Sequence, residues 1–160
     1  KVLHKTDKKG LILNLKNMEE LQKAIAEIKQ NFPEEKIIIQ PMITGGTELI
    51  LGIKKDEIFG PIVVVGLGGI YTEIFQAVDF IVPYADQEEI KNILLDGKSG
   101  FLFRETRGKI ACNLEEVTQI IFNLQSLALE VDQIRELDIN PLISLGKNKK
   151  SLAVDVKIII

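Results

Sequence analysis

Apolar residues recur at helical spacing in two long stretches of the chain. After Asn17, the residues Met18, Leu21, Ala24, Ile25, Ile28 and Phe32 share one side of a helical period; after Asn113, Leu114, Val117, Ile120, Ile121, Leu124, Leu127, Ala128 and Val131 do the same. Each stretch is headed by an Asn with a Glu three residues on, and Asp86 with Glu89 repeats the device. Three helices are therefore predicted to begin there, the first side chain capping free backbone amides and the glutamate returning the bond. Shorter aliphatic runs at residues 11–15, 36–42, 48–54, 61–65 and 78–82 read as strands, as do the two flanks of "ELDINPLISLGKNKKSLAVDVKI", residues 136–158. Strands and helices follow in irregular order, which predicts an α+β or mixed α/β domain rather than a doubly wound parallel sheet.

The last of these stretches poses a chemical question, because Asp138, Asn140 and Asp155 sit in strand-like runs that do not favour them. A turn over residues 146–150 folds the flanks into a hairpin with Asn140 opposite Asp155 and Asp138 opposite Lys157. Alternation then puts Ile139, Pro141, Ile143 and Leu145 with Leu152, Val154, Val156 and Ile158 on one face, which is predicted to be core. Asp138, Asn140 and Leu142 with Ala153, Asp155 and Lys157 take the other. Opposed residues hold their Cβ atoms about 4.5 to 5.5 Å apart, so an amide oxygen and a carboxylate can share one Mg²⁺ at about 2.0 to 2.1 Å. A pair suffices beside nucleotide phosphates, since Mg²⁺ takes only one or two protein ligands there. The alternative from the same letters is an amphipathic hairpin whose polar face meets water.

Composition narrows the classes. With 46% apolar and 27% charged residues over 160 positions and a net charge of −3, the chain reads as a soluble globular protein with one core, and neither a nucleic acid nor an acidic membrane is an expected partner. No run is long and apolar enough to predict a bilayer span or a secretory signal, which points to the cytoplasm. One cysteine, Cys112, and one histidine, His4, exclude an internal disulfide and a zinc cage of nitrogen and sulfur ligands, and Cys112 reads as a reduced structural residue. The opening Lys1-Val2-Leu3 and the closing Ile158-Ile159-Ile160 read as cut ends of a longer protein.

Glycine-bearing stretches at residues 4–10, 45–52, 59–61 and 66–73 permit close approach of backbone to a ligand, although each also reads as a tight turn. None has the spacing of a P-loop or a dinucleotide fingerprint. His4 stands beside Lys5, Lys8 and Lys9, a basic setting for an anion; it is either a solvated loop residue or the one imidazole available for phosphoryl transfer through nitrogen.

Taken in order, "VLHKTDKKGLILNL", "IIIQPMITGGTELILGIKKDEIFGPIVVVGLGGIYTEIF", "ETRG", "ELDINPL" and "AVDVKI" resemble the ATP-grasp part of the ADP-forming acetyl-CoA (acyl-CoA) synthetases, relatives of the succinyl-CoA synthetase β subunit. The resemblance runs over essentially all 160 residues. It implies an ATP-grasp fold, this chain being the later, larger subdomain, a single partial domain over residues 1–160 with a largely antiparallel sheet packed by helices. The implied reaction interconverts acyl-CoA, ADP and phosphate with acid, CoA and ATP through a phosphohistidine, with Mg²⁺ and ATP/ADP bound.

Carried over residue by residue, the resemblance implies that Asn140 and Asp155 are magnesium ligands, His4 the phosphate carrier and Asp138 an acid beside the transferred group. Gln40 and Met42 would lie along the adenine, with Met42 as amide donor because Pro41 has no N–H, and Glu48 on the nucleotide side. Lys9 replaces a family glycine, Ile81 stands where the family shows Arg, and the family's preceding region with its nucleotide-binding lysines does not match any part of this chain. The fragment alone is accordingly expected to be inactive. The implied partner is the CoA-binding region of the same enzyme, fused or separate, in an oligomer. A rival reading is a regulatory acyl-CoA synthetase-like module, such as that fused to protein acetyltransferases, which keeps the fold without the chemistry.

Overall fold

The computed structural model describes residues 10–68, 78–106 and 108–160. His4, Lys9, much of the 66–73 glycine stretch and Arg107 of "ETRG" lie outside them. The chain divides into two compact units, Lys1–Thr44 and Gly45–Ile160.

In the first unit α1 spans Met18–Asn31, where the apolar period predicts it. Asn17 Oδ1 accepts the Glu20 amide at 2.9 Å, but the Glu20 carboxylate takes the amide of Lys16, one residue before the cap, at 2.8 Å. The runs at residues 11–15 and 36–42 do not form strands. Among the described residues neither has a ladder partner, and Ile38 and Ile39 are 82% and 61% exposed. β-propensity describes fitness for a pleated, half-covered surface, and without a partner it forms nothing.

The second unit is one antiparallel sheet with helices on one face. Its elements are β1 (Thr47–Asp56), β2 (Gly60–Leu67), β3 (Val78–Ile81), α2 (Gln87–Asp96), a 3₁₀ turn (Gly100–Phe103), α3 (Leu114–Glu130), β4 (Glu136–Ser144), β5 (Leu152–Ala153) and β6 (Val156–Ile159). The strand order is β3-β2-β1-β4-β5, with β6 also on β4. Leu49, Leu51 and Ile53 of β1, Val63 and Val65 of β2 and Ile81 of β3 bury their side chains against Ile90 and Leu94 of α2 and Val117 and Ile121 of α3. Ile81 opposes Val63 and is fully buried, so packing requires an apolar residue at that position. Cys112 is buried as well, and desolvation, partly offset by a hydrogen bond with Ser144, pushes its thiol up to about 11, far from a reactive thiolate. Among the described residues no helix is long and apolar enough to cross a membrane.

The helix caps depart from expectation once more. Asp86 and Glu89 close a full capping box at α2. At α3, Asn113 caps the Glu116 amide at 3.4 Å while its own N–H donates to Ser144 Oγ at 3.2 Å. The Glu116 carboxylate is thereby released to accept Ser151 N–H at 2.9 Å and Ser151 O–H at 2.7 Å. It fastens the β4–β5 turn to the helix instead of closing the box.

The hairpin has the predicted register, with Ile143 opposite Leu152, Leu142 opposite Ala153, Ile139 opposite Val156 and Asp138 opposite Lys157. Its faces do not alternate as expected. Leu51 of β1 opposes Ile139 but Leu49 opposes Leu142, so β4 carries one extra residue between them. That bulge turns the strand over, and Leu142, expected beside Asp138, enters the core at 3% exposure. The expected apolar core face is also only half covered. Ile139 and Ile143 are buried, whereas Leu152, Val154, Val156 and Ile158 stay exposed, because β5 and β6 form the sheet's edge and α3 packs over β1 and β2.

Candidate functional site

The polar residues of the hairpin gather where β4 and the β5–β6 return strand cross the bulge. Asn140 N–H donates to the Asp155 carbonyl at 3.0 Å, and Val154 N–H to the Pro141 carbonyl at 3.0 Å. These two main-chain bonds hold Asn140 directly against Asp155, independently of what their side chains do. Asp138 lies two residues back on β4, opposite Lys157 on one side and Gly52 of β1 on the other. Gly52 interrupts an aliphatic strand, and a Cβ there would stand 2.9 Å from the Leu137 carbonyl oxygen, so no side chain can crowd Asp138 from β1. The ammonium of Lys157 pairs with Glu136 at 3.3 Å.

Electrostatics tie these groups together. The Asp138 carboxyl is raised above the ordinary carboxylate range, first by burial, then by the charge of Glu136, with Lys157 opposing and Asp155 adding to the rise. Asp155 therefore acts on Asp138 through space. A group whose folded pKa is raised binds its proton more tightly in the folded state, so ionised Asp138 costs stability at neutral pH and the cost disappears as pH falls below the ordinary carboxylate value. Asp138→Asn is expected to melt higher than the parent near pH 7, with the gap closing toward about pH 4. Melting curves across that range check it; a gap independent of pH would contradict the assignment.

The donor set suits a hard cation. Asn140 and Asp155 offer oxygen only, and the like charges of Glu136, Asp138 and Asp155 are of the kind a bound divalent ion relieves. Among the described residues no group of three or more His, Cys, Asp or Glu side chains is arranged to hold a metal unaided. The pair thus fits an ion that shares its ligands with phosphate and water better than a caged one.

The other expected residues are less concentrated. Glu48 opposes Ile143 on β1, four residues and about 13 Å of strand from Gly52. It is exposed and does not join the Asp138 group through the backbone register. Gln40 and Met42 lie in the Lys1–Thr44 unit, exposed and outside any ladder, and His4 falls outside the described residues. The sequence marks Gly52 only as the end of a glycine-bearing stretch, without relating it to Asp138, and does not announce the Lys157–Glu136 pair. A glycine in mid-strand was the available signal for the first, and the predicted pairing of Lys157 with Asp138 for the second.

Comparisons with known proteins bear on this geometry. The protein family described as ATP-grasp domain matches residues 1–160. The acetate–CoA ligase [ADP-forming] I subunit beta of Pyrococcus furiosus is 35% identical over 166 residues, spanning 99% of this chain and 71% of that protein. The 4-hydroxybutyrate–CoA ligase [ADP-forming] of Nitrosopumilus maritimus is 30% identical over 98% of this chain, which covers 24% of that longer protein. Among solved structures, the dinucleotide-forming acetyl-coenzyme A synthetase 1 of Ca. Korarchaeum cryptofilum superposes with a TM-score of 0.87 at 32% identity, over 100% of this chain and 72% of that one. That structure contains coenzyme A and Mg-AMPPCP, with its phosphohistidine segment pointing towards the nucleotide-binding site.

Proposed function

The chain belongs to the ATP-grasp domain family, and from that premise we propose that it is the nucleotide- and magnesium-binding part of an ADP-forming acyl-CoA synthetase. The observation that carries the proposal is the opposition of Asn140 and Asp155 across the β4 hairpin, with Asp138 two residues away. On this reading Asn140 and Asp155 hold Mg²⁺, which supplies positive charge to the nucleotide phosphates. His4 carries the phosphoryl group on an imidazole nitrogen. When an oxygen of the terminal ADP phosphate takes the phosphorus, the N–P bond breaks and the imidazole leaves. Asp138 is the acid beside the transferred phosphoryl group, a carboxylate of the kind that orients an imidazole. Gln40 and Met42 lie along the adenine, with the Met42 amide as donor, and Glu48 faces the nucleotide.

The acyl group and CoA belong to another region of the enzyme. The relatives include both a β subunit and longer chains, and on this reading that region is either a separate subunit or part of the same chain. The working protein is a cytoplasmic oligomer of the two regions.

The test is a phosphate label. Full-length protein incubated with Mg·ATP radiolabelled at the γ-phosphate is expected to acquire label on His4 that acid removes and alkali does not, and His4→Asn is expected to acquire none. Turnover without label on His4 would remove the carrier role and leave the rival, non-catalytic reading for this histidine.

A further inference from the structure

The acidic side of the site raises a charge problem that the metal ligands alone do not solve. Glu136, Asp138 and Asp155 present carboxylates to a region which, on the proposed function, also receives a phosphoryl group carrying about −1.5 to −2 charges. One divalent ion shared with the nucleotide does not neutralise that sum. A cation beside Asp138 reduces the excess further, and the register supplies one. Lys157 directly opposes Asp138 and lies two residues, about 7 Å of backbone, along the return strand from Asp155, and the charges of both act on the Asp138 carboxyl.

We propose that Lys157 is a phosphate-binding cation of this site, its ammonium resting on Glu136 and turning to the oxygens of the phosphoryl group held over Asp138. The resting contact is loose. The Lys157–Glu136 pair is 3.3 Å long, with side chains 57% and 49% exposed, and a pair of that kind adds little to stability and is readily exchanged. An ammonium on a flexible four-carbon stem has three donors and no fixed fork, which suits a group that must be held in transit. Lys54 also flanks Glu136, from β1, but stands on the side of β4 away from Asp155. It serves as the control.

The inference rests on the proposed function and deepens it, so its test must separate the two. The full-length protein is titrated with Mg·ATP and with Mg·ADP, which differ by the phosphoryl group in question. Lys157→Met is expected to weaken Mg·ATP about tenfold or more and Mg·ADP less than about threefold. Lys157→Arg is expected to recover most of the difference, and Lys54→Met to leave both nucleotides unchanged. Should K157M unfold, Glu136→Gln reads the same contact in reverse by freeing the ammonium, and is expected to tighten Mg·ATP relative to Mg·ADP. Unchanged binding in K157M, or equal weakening of both nucleotides, overturns the proposal, as does an E136Q that leaves their ratio as it was. If Asp155→Ala abolishes Mg·ATP binding while K157M does not alter it, only the role of Lys157 fails; if D155A binds like the parent, the metal assignment beneath it has failed.

Discussion

Asp155→Ala in the full-length enzyme is expected to lower ADP-dependent turnover by about a hundredfold or more while leaving the thermal unfolding curve nearly in place. The two halves of this expectation have separate causes. Stability is spared because the ladder bond at this position uses the Asp155 carbonyl, accepting from Asn140 N–H at 3.0 Å, and truncating the side chain does not touch it. The residue is also exposed on the return strand, where no cavity opens. Activity is lost because one of only two protein oxygens assigned to the ion disappears, and a transition state that relies on a divalent charge loses several kcal/mol of stabilisation. Asp155→Asn keeps an oxygen but removes the charge and should fall between the two. Both variants also remove a charge that raises the Asp138 carboxyl, so their pH–rate profiles should shift to lower pH if Asp138 works ionised. Steady-state turnover measured against Mg²⁺ concentration decides the matter; undiminished activity in D155A would exclude Asp155 as a ligand.

That such an experiment can be named from a sequence depends on which features are local. Opposition of Asn140 and Asp155 was legible because a short polar turn at residues 146–150 sets the pairing of everything on its flanks; Gly146 there adopts φ +92, and Lys149 N–H returns to the Gly146 carbonyl at 3.2 Å. The fate of Leu142 was not legible, because alternation assumes one residue opposite one. The extra residue on β4 is defined only against β1, a strand that lies some ninety positions earlier in the chain. Glu116 teaches the same lesson. Its spacing from Asn113 announces a cap, yet its carboxylate is claimed by Ser151, 35 residues downstream. Residues 36–42 carry the letters of a strand and have no ladder partner among the described residues. Chemistry followed the same division. The metal pair follows from hairpin arithmetic and His4 from being the one imidazole of the chain in a basic setting, whereas the roles of Gln40, Met42 and Glu48 rest on resemblance alone, since nothing in their spacing relates them to the hairpin.

Gly46→Ala is expected to destabilise the Gly45–Ile160 unit by about 2 to 5 kcal/mol, and Gly45→Ala by only about 1 to 2 kcal/mol. Both glycines adopt φ in the left-handed region, +77 at Gly45 and +92 at Gly46, so each alanine carries the backbone strain of an L side chain there. Their surroundings differ. A Cβ on Gly45 meets nothing within 4 Å, whereas one on Gly46 would stand 2.7 Å from Ile143 Cγ2, 2.8 Å from the Ser144 carbonyl oxygen and 3.0 Å from Leu145 Cδ2. A rotamer change can move the two side chains, but the carbonyl belongs to β4 and cannot retreat without the strand. Thr47 opposes Ser144 and Glu48 opposes Ile143, so relief of the clash has to come from the start of β1. G46A should therefore disturb Glu48 as well as stability, and G45A should leave Glu48 in place. Urea unfolding of the two variants measures the first difference, and nucleotide affinity at a temperature where both remain folded measures the second. Equal losses of stability would mean that only the turn's φ values require glycine in this block. A larger loss in G46A, accompanied by weakened nucleotide binding, would mean that the glycine is there to let the turn lie against β4 and so set the position of the glutamate that follows it.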